Sequence, residues 1–172
     1  LVMIGVIMGS GLSAQAEGIF DFGVASGDPD ASSVVLWTHL SPSDADDIDT
    51  AIPVRWEVAE TPDFAAIVAV GASSAQAEHD HTVKVVAAGL EPGKTYFYRF
   101  IAGEAVSPVG TTRVLPQGAV ESLKLAVFSC VNYPAGLFNA YDAAVQEGFD
   151  FSVHLGDYIY VYGPGGYATK NA

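Results

Sequence analysis

The sequence predicts an antiparallel β-sandwich followed by the opening of an α/β domain. Across residues 19–114, short runs of strand-forming residues recur at intervals of roughly 12 residues, with turn residues between them and no helical period. Beyond Pro116-Gln117-Gly118-Ala119 the pattern changes. A continuous apolar run at 124–128, a helix-spaced stretch at 137–147 and a second run at 149–155 then read as strand, helix, strand.

The sandwich strands are expected at 19–25, 33–40, 53–59, 66–71, 81–87, 95–101 and 109–114. Val54, Trp56 and Val58 alternate with Arg55 and Glu57, so the apolar set faces inward. Tyr96, Tyr98 and Phe100 alternate with Phe97, Arg99 and Ile101 in the same way. Leu90, the Pro92-Gly93 turn and Tyr96 resemble the tyrosine corner of fibronectin-III/Ig-like sandwiches, in which the tyrosine is structural. The acidic loop 41–49 lacks the glycine and distal glutamate of a calcium loop and reads as solvated surface. His79-Asp80-His81 has metal-binding residue types but stands in a polar turn, and reads as surface.

Residues 116–119 read as a linker, and a domain boundary is placed there. In the helical stretch Leu137, Phe138, Tyr141, Ala144 and Val145 share a face, and Gly148 can end the helix. Strands joined by such a crossover are parallel. Their unalternating apolar runs suit burial on both faces. Cys130 and Asp157 then both stand just past the carboxyl ends of their strands. Adjacent strands lie about 4.8 Å apart, so a thiolate and a carboxylate can converge on one metal ion at the edge where α/β sheets hold ligands. Tyr160 follows Asp157 by three residues, and one helical turn would bring it to the same side.

Each of these residues has a plainer reading. Cys130 is the single cysteine, so it is a buried inert thiol, a reactive group or a ligand. Asp157 is a turn carboxylate, Tyr160 a packed aromatic between Tyr158 and Tyr162, and His154 a hydrogen-bonded core histidine. Asn132 and Tyr133 are near enough to line a pocket, with no role assigned.

The 172 residues carry 20 acids and seven bases, a net charge of −13. Nucleic acid is a poor partner for such a chain, because phosphate contacts need clustered Lys and Arg. Residues 1–8 are apolar, and Ala14-Gln15-Ala16 fits a small-x-small cleavage site. Residues 1–16 are therefore expected to be the remnant of an export signal, with a mature start near Glu17 outside the cytoplasm. The segment is too short and Gly-rich for a stable membrane span. The alternative is a buried N-terminal strand.

Several stretches occur in one order: Phe22 to Pro29, Val35-Leu36-Trp37-Thr38, Trp56-Glu57-Val58-Ala59, His81 to Val85, Gly89 to Phe100, Ser129 to Tyr133 and Leu155 to Tyr160. Together they resemble the PhoD-type alkaline phosphatase/phosphodiesterases. The resemblance implies a β-sandwich over 17–116 and, over 120–172, the first strand-helix-strand of a truncated metallophosphoesterase domain. It implies an exported hydrolase of phosphate mono- and diesters that works through metal-bound hydroxide. It also implies a site of Fe3+ with Ca2+, in which Cys130, Asp157 and Tyr160 match family ligands. Thiolate and phenolate donate strongly to ferric iron, and carboxylate oxygens suit calcium.

The chain departs from the family at Val161, where an acid is common, and at His39, where Arg is common. The family's later Asn and His ligands fall beyond residue 172, so this segment alone is expected to be inactive. The competing reading is a non-enzymatic exported sandwich that binds a partner, with a degenerate α/β appendage. A cysteine hydrolase built on Cys130 is weaker still, since no base is placed to activate the thiol.

Overall fold

The computed structural model describes residues 3–5, 19–42, 50–132 and 138–160. Most of the expected export segment, acidic residues 43–49, Tyr133, Leu137, Val161 and the Gly-rich stretch 162–167 lie outside the described residues. The strands are β1 (Met3–Gly5), β2 (Val24–Gly27), β3 (Ser33–His39), β4 (Ile52–Ala59), β5 (Ile67–Ala75), β6 (Thr82–Ala88), β7 (Thr95–Ala102), β8 (Ala105–Val106) and β9 (Gly110–Arg113). They are followed by β10 (Leu125–Phe128), helix α1 (Asn139–Glu147) and β11 (Phe151–His154). No helix among the described residues is long and apolar enough to cross a membrane.

The expected sandwich is present. One sheet runs β5-β4-β7-β8, with β9 also on β7; the other runs β10-β11-β1-β2-β3-β6. Val54, Trp56 and Val58 of β4 and Tyr96, Tyr98 and Phe100 of β7 are buried, as their alternation predicts. They pack in one core with Val34, Leu36 and Leu40 from the facing sheet. The Tyr96 hydroxyl accepts the Glu91 backbone N–H at 2.8 Å while its ring is 1% exposed. That bond closes the tyrosine corner over the turn before β7.

Three details differ from the sequence reading. The strand expected from residue 19 begins only at Val24, because residues 20–23 form a turn. The Gly23 N–H bonds the Phe20 carbonyl at 2.9 Å, and Gly23 takes φ +66°, which suits a residue without Cβ. Glu57, on the outward register of β4, is buried. Arg99 Nη2 lies 2.7 Å from one of its oxygens and Arg55 Nη2 3.1 Å from the other, while the Arg99 guanidinium stacks 4.0 Å over Phe64. A buried carboxylate needs such partners, and removing one typically costs about 3–5 kcal/mol. His81, expected at the surface, is buried and its Nδ1 has no partner among the described residues, while His79 and Asp80 are exposed.

Met3–Gly5 pairs antiparallel with β11 through three residue pairs and with β2 through one, Gly5↔Gly27. This strand falls within the segment expected to be an export-signal remnant.

After β9 the chain crosses to the strand-helix-strand unit. β10 and β11 pair in parallel, from Leu125↔Phe151 to Phe128↔His154. Helix α1 begins two residues later than its periodicity starts and stops at Gly148, whose φ is +67° and whose N–H bonds the Val145 carbonyl. Tyr141 stacks on Phe128 of β10 with ring centroids 4.4 Å apart. At the amino ends of the strands Asp150 joins three elements. It pairs with Arg113 of β9, accepts the Lys124 backbone N–H at 2.9 Å, and donates its own N–H to the Lys124 carbonyl at 2.8 Å. The sandwich is thereby tied to the strand pair at the end opposite Cys130 and Asp157.

Candidate metal centre

Because β10 and β11 are parallel and in register, they end level, and the turns that follow lie side by side. Single backbone bonds continue the pairing past the strand ends. Leu155 N–H donates to the Phe128 carbonyl at 2.8 Å, Cys130 N–H to Gly156 at 3.3 Å, and Val131 N–H to Asp157 at 3.1 Å. Tyr160 N–H then donates to Val131 at 2.6 Å, and Asn132 and Tyr160 form an isolated parallel bridge. To turn this way Cys130 takes φ +60°, Asp157 +48° and Gly156 +120°. Left-handed backbone is unfavourable at the two residues that carry a Cβ, and strain of this kind concentrates at functional positions.

The two turns bring three side chains together. Cys130 Sγ lies 3.7 Å from Asp157 Oδ2, and the Tyr160 hydroxyl lies 3.8 Å from Cys130 Sγ. Cys130 and Asp157 are exposed and Tyr160 is partly covered. The hydrogen bond of the Tyr160 phenol to Asp157, and after it that to Cys130, holds the proton on and pushes the phenol well above its ordinary range. No Lys or Arg is ion-paired with Asp157 among the described residues. The cluster is therefore electron-rich, with no cationic partner for it among the described residues.

A metal fits this donor set. Two donors bound to one ion at about 2.0–2.3 Å stand roughly 3–4 Å apart, close to the separations here. A bound cation reverses the electrostatics that hold the phenol protonated. The set is small: no group of three or more His, Cys, Asp or Glu suited to a metal occurs among the described residues, and here the third donor is a tyrosine. His79, Asp80 and His81 do not form such a group either.

Sequence reasoning singled out Cys130, Asp157 and Tyr160, and the structure brings them together. His154 is buried on β11, its Nδ1 accepting the Gly156 N–H at 3.3 Å. Asn132, to which the sequence assigns no role, has its Oδ1 buried without a partner among the described residues, next to the Tyr160 backbone. No residue pattern announces that placement, since it depends on the bridge between two turns.

The model for the N-terminal domain of PhoD-like phosphatases matches residues 9–116, and the PhoD-like phosphatase model matches residues 125–172. The chain belongs to the PhoD-like phosphatase family. It is 47% identical over 156 residues to alkaline phosphatase D of Bacillus subtilis (strain 168), covering 88% of this chain and 27% of that protein. A solved structure of PhoD superposes with TM-score 0.78 and 42% identity, over 89% of this chain and 30% of that one. The chain thus spans less than a third of the length of either PhoD relative. The match to the PhoD-like phosphatase model takes in both turns that carry Cys130, Asp157 and Tyr160.

Proposed function

We propose that this chain is the front part of an exported, metal-dependent PhoD-like phosphoesterase, in which Cys130, Asp157 and Tyr160 form part of a ferric shell and Asp157 also reaches calcium. The observation that carries this reading is the convergence of a thiol, a carboxylate and a phenol within 3.7 and 3.8 Å at one sheet edge. Cys130 and Tyr160 would hold ferric iron as thiolate and phenolate, both strong donors to it. Asp157 would contribute carboxylate oxygens, which suit a hard cation. When bound, the pair of cations supplies Lewis-acid activation of water and neutralises charge on the phosphoryl oxygens. The exposure of Cys130 and Asp157 leaves room for a phosphate mono- or diester.

The residues of this chain supply only part of such a site. Calcium usually takes about six to eight oxygens, and Asp157 is the single carboxylate here. The segment on its own is therefore inactive in this reading. The sandwich is one unit over 17–116 and the catalytic domain begins at 120. Ala14-Gln15-Ala16 supports export of the parent protein.

The test is Cys130→Ser in the full-length parent. A neutral hydroxyl is a far poorer ferric ligand than a thiolate. Turnover of p-nitrophenyl phosphate and its bis ester is expected to fall by more than about 100-fold, beyond the usual effect of losing an outer-shell partner, with loss of iron. Wild-type turnover with full metal content would remove Cys130 from the site.

A further inference from the structure

We infer that His154 is a positioning residue that sets the geometry of Cys130 and Asp157 through the backbone of Gly156. Its functional meaning rests on the metal-site reading of those two residues. His154 is the last residue of β11 and is 8% exposed. Its Nδ1 accepts the Gly156 N–H at 3.3 Å, two residues on, so the ring acts as the side chain of an Asx turn does. The ring also packs edge-on against Tyr158, with centroids 4.8 Å apart.

Gly156 is the hinge on which both proposed ligands depend. Its carbonyl accepts the Cys130 N–H at 3.3 Å, and the next carbonyl, that of Asp157, accepts the Val131 N–H at 3.1 Å. Gly156 itself takes φ +120°, a conformation with few intrinsic restraints, so a partner must hold it. The relay runs from His154 Nδ1 to the Gly156 N–H, and from the Gly156 carbonyl to the Cys130 N–H. This geometry demands one tautomer. Nδ1 must be bare to accept, so the proton of the neutral ring is on Nε2. Nε2 is buried and has no partner among the described residues.

The experiment uses the 172-residue chain. Long-range proton–nitrogen spectra of the His154 ring are expected to report a bare Nδ1 and a protonated Nε2; the opposite tautomer would overturn the inference. Two substitutions separate the acceptor from the packing. His154→Asn keeps an oxygen close to the Nδ1 position and can still receive the Gly156 N–H, whereas His154→Leu cannot. In His154→Leu the amides of Gly156 and Cys130 are expected to exchange at least about tenfold faster, the scale of one lost hydrogen bond. Ferric iron, followed through its sulfur- and phenolate-to-metal absorption, is expected to bind at least about tenfold more weakly. His154→Asn is expected to stay close to wild type in both. Unchanged Cys130 exchange in His154→Leu, or equal losses in both variants, would show that the ring fills space and positions nothing. If the wild-type chain binds no ferric iron, the metal reading fails while amide exchange still decides the role of His154. If His154→Leu does not fold, the wild-type tautomer and the Asn variant decide it.

Discussion

A methyl group at Gly110 would land on the Tyr98 ring, so a single hydrogen at this position lets β9 lie against β7. Tyr98 is 1% exposed, and burial pushes its phenol above the ordinary range. The ring has little room to move in a close-packed core. Gly110→Ala is expected to destabilise the sandwich by about 1–3 kcal/mol, the usual penalty of overpacking. Urea unfolding measures it, and a change below about 0.5 kcal/mol would mean that Tyr98 swings aside. Asp30 offers a pH test. Its carboxylate accepts the N–H groups of Ser32 and Ser33, each at 2.6 Å, and the Ser33 hydroxyl at 2.9 Å. The bond from Ser32 N–H leads in lowering its pKa below the ordinary 3.8. A depressed folded-state value stabilises the fold fully above the unfolded value and ceases to do so as pH falls through the folded one. Carbon NMR of the Asp30 carboxyl is expected to titrate below 3.8, and a midpoint above it contradicts the turn geometry. Residue types made Cys130 and Asp157 legible as ligand candidates. Their left-handed backbone was not legible, because nothing local favours φ near +60° at a cysteine; the cross-strand bonds impose it.

At the scale of elements, alternation made β4 and β7 readable, since a buried face and a solvated face alternate with period two. It misplaced the start of β2, where Phe20 and Phe22 resemble strand residues but a Gly23 turn sends Phe22 into solvent. It also missed β8, a two-residue strand closing a tight turn at Gly103. Glu57 looked like a solvent-facing residue because its cross-strand partner on β7, Arg99, is 42 residues away in sequence, and Phe64 of the β4–β5 turn in turn lies under that guanidinium. Helix α1 was readable at its Gly148 end, where a residue without Cβ meets a positive φ. Every residue of the main core cluster falls between Phe20 and Val114. The chain of residues 17–116 is therefore expected to fold alone with a cooperative thermal melt, even though it loses β1, which meets β2 through a single residue pair, and the Arg113–Asp150 pair, whose side chains are partly exposed. A random-coil circular dichroism spectrum would place the boundary elsewhere.

For the whole molecule, the sandwich and the strand pair are joined by the Arg113–Asp150 pair at the amino ends of β10 and β11 and by β1, which pairs with both β11 and β2, while the three candidate ligands stand past the carboxyl ends. The ion pair ties the sandwich to the strand pair away from the site, and β1 runs along β11 up to His154. Family membership follows from both halves of the chain, whereas the assignment of ligands rests on the geometry of two turns. The ligand cluster is therefore the claim to test. The measurement is a ferric titration of the purified 172-residue chain, read as visible absorption from thiolate and phenolate to iron. One equivalent is expected to bind, with the band lost or shifted in each of Cys130→Ser, Asp157→Asn and Tyr160→Phe, and the circular dichroism unchanged. An identical band and stoichiometry in all three variants, or no band in the wild-type chain, would contradict it.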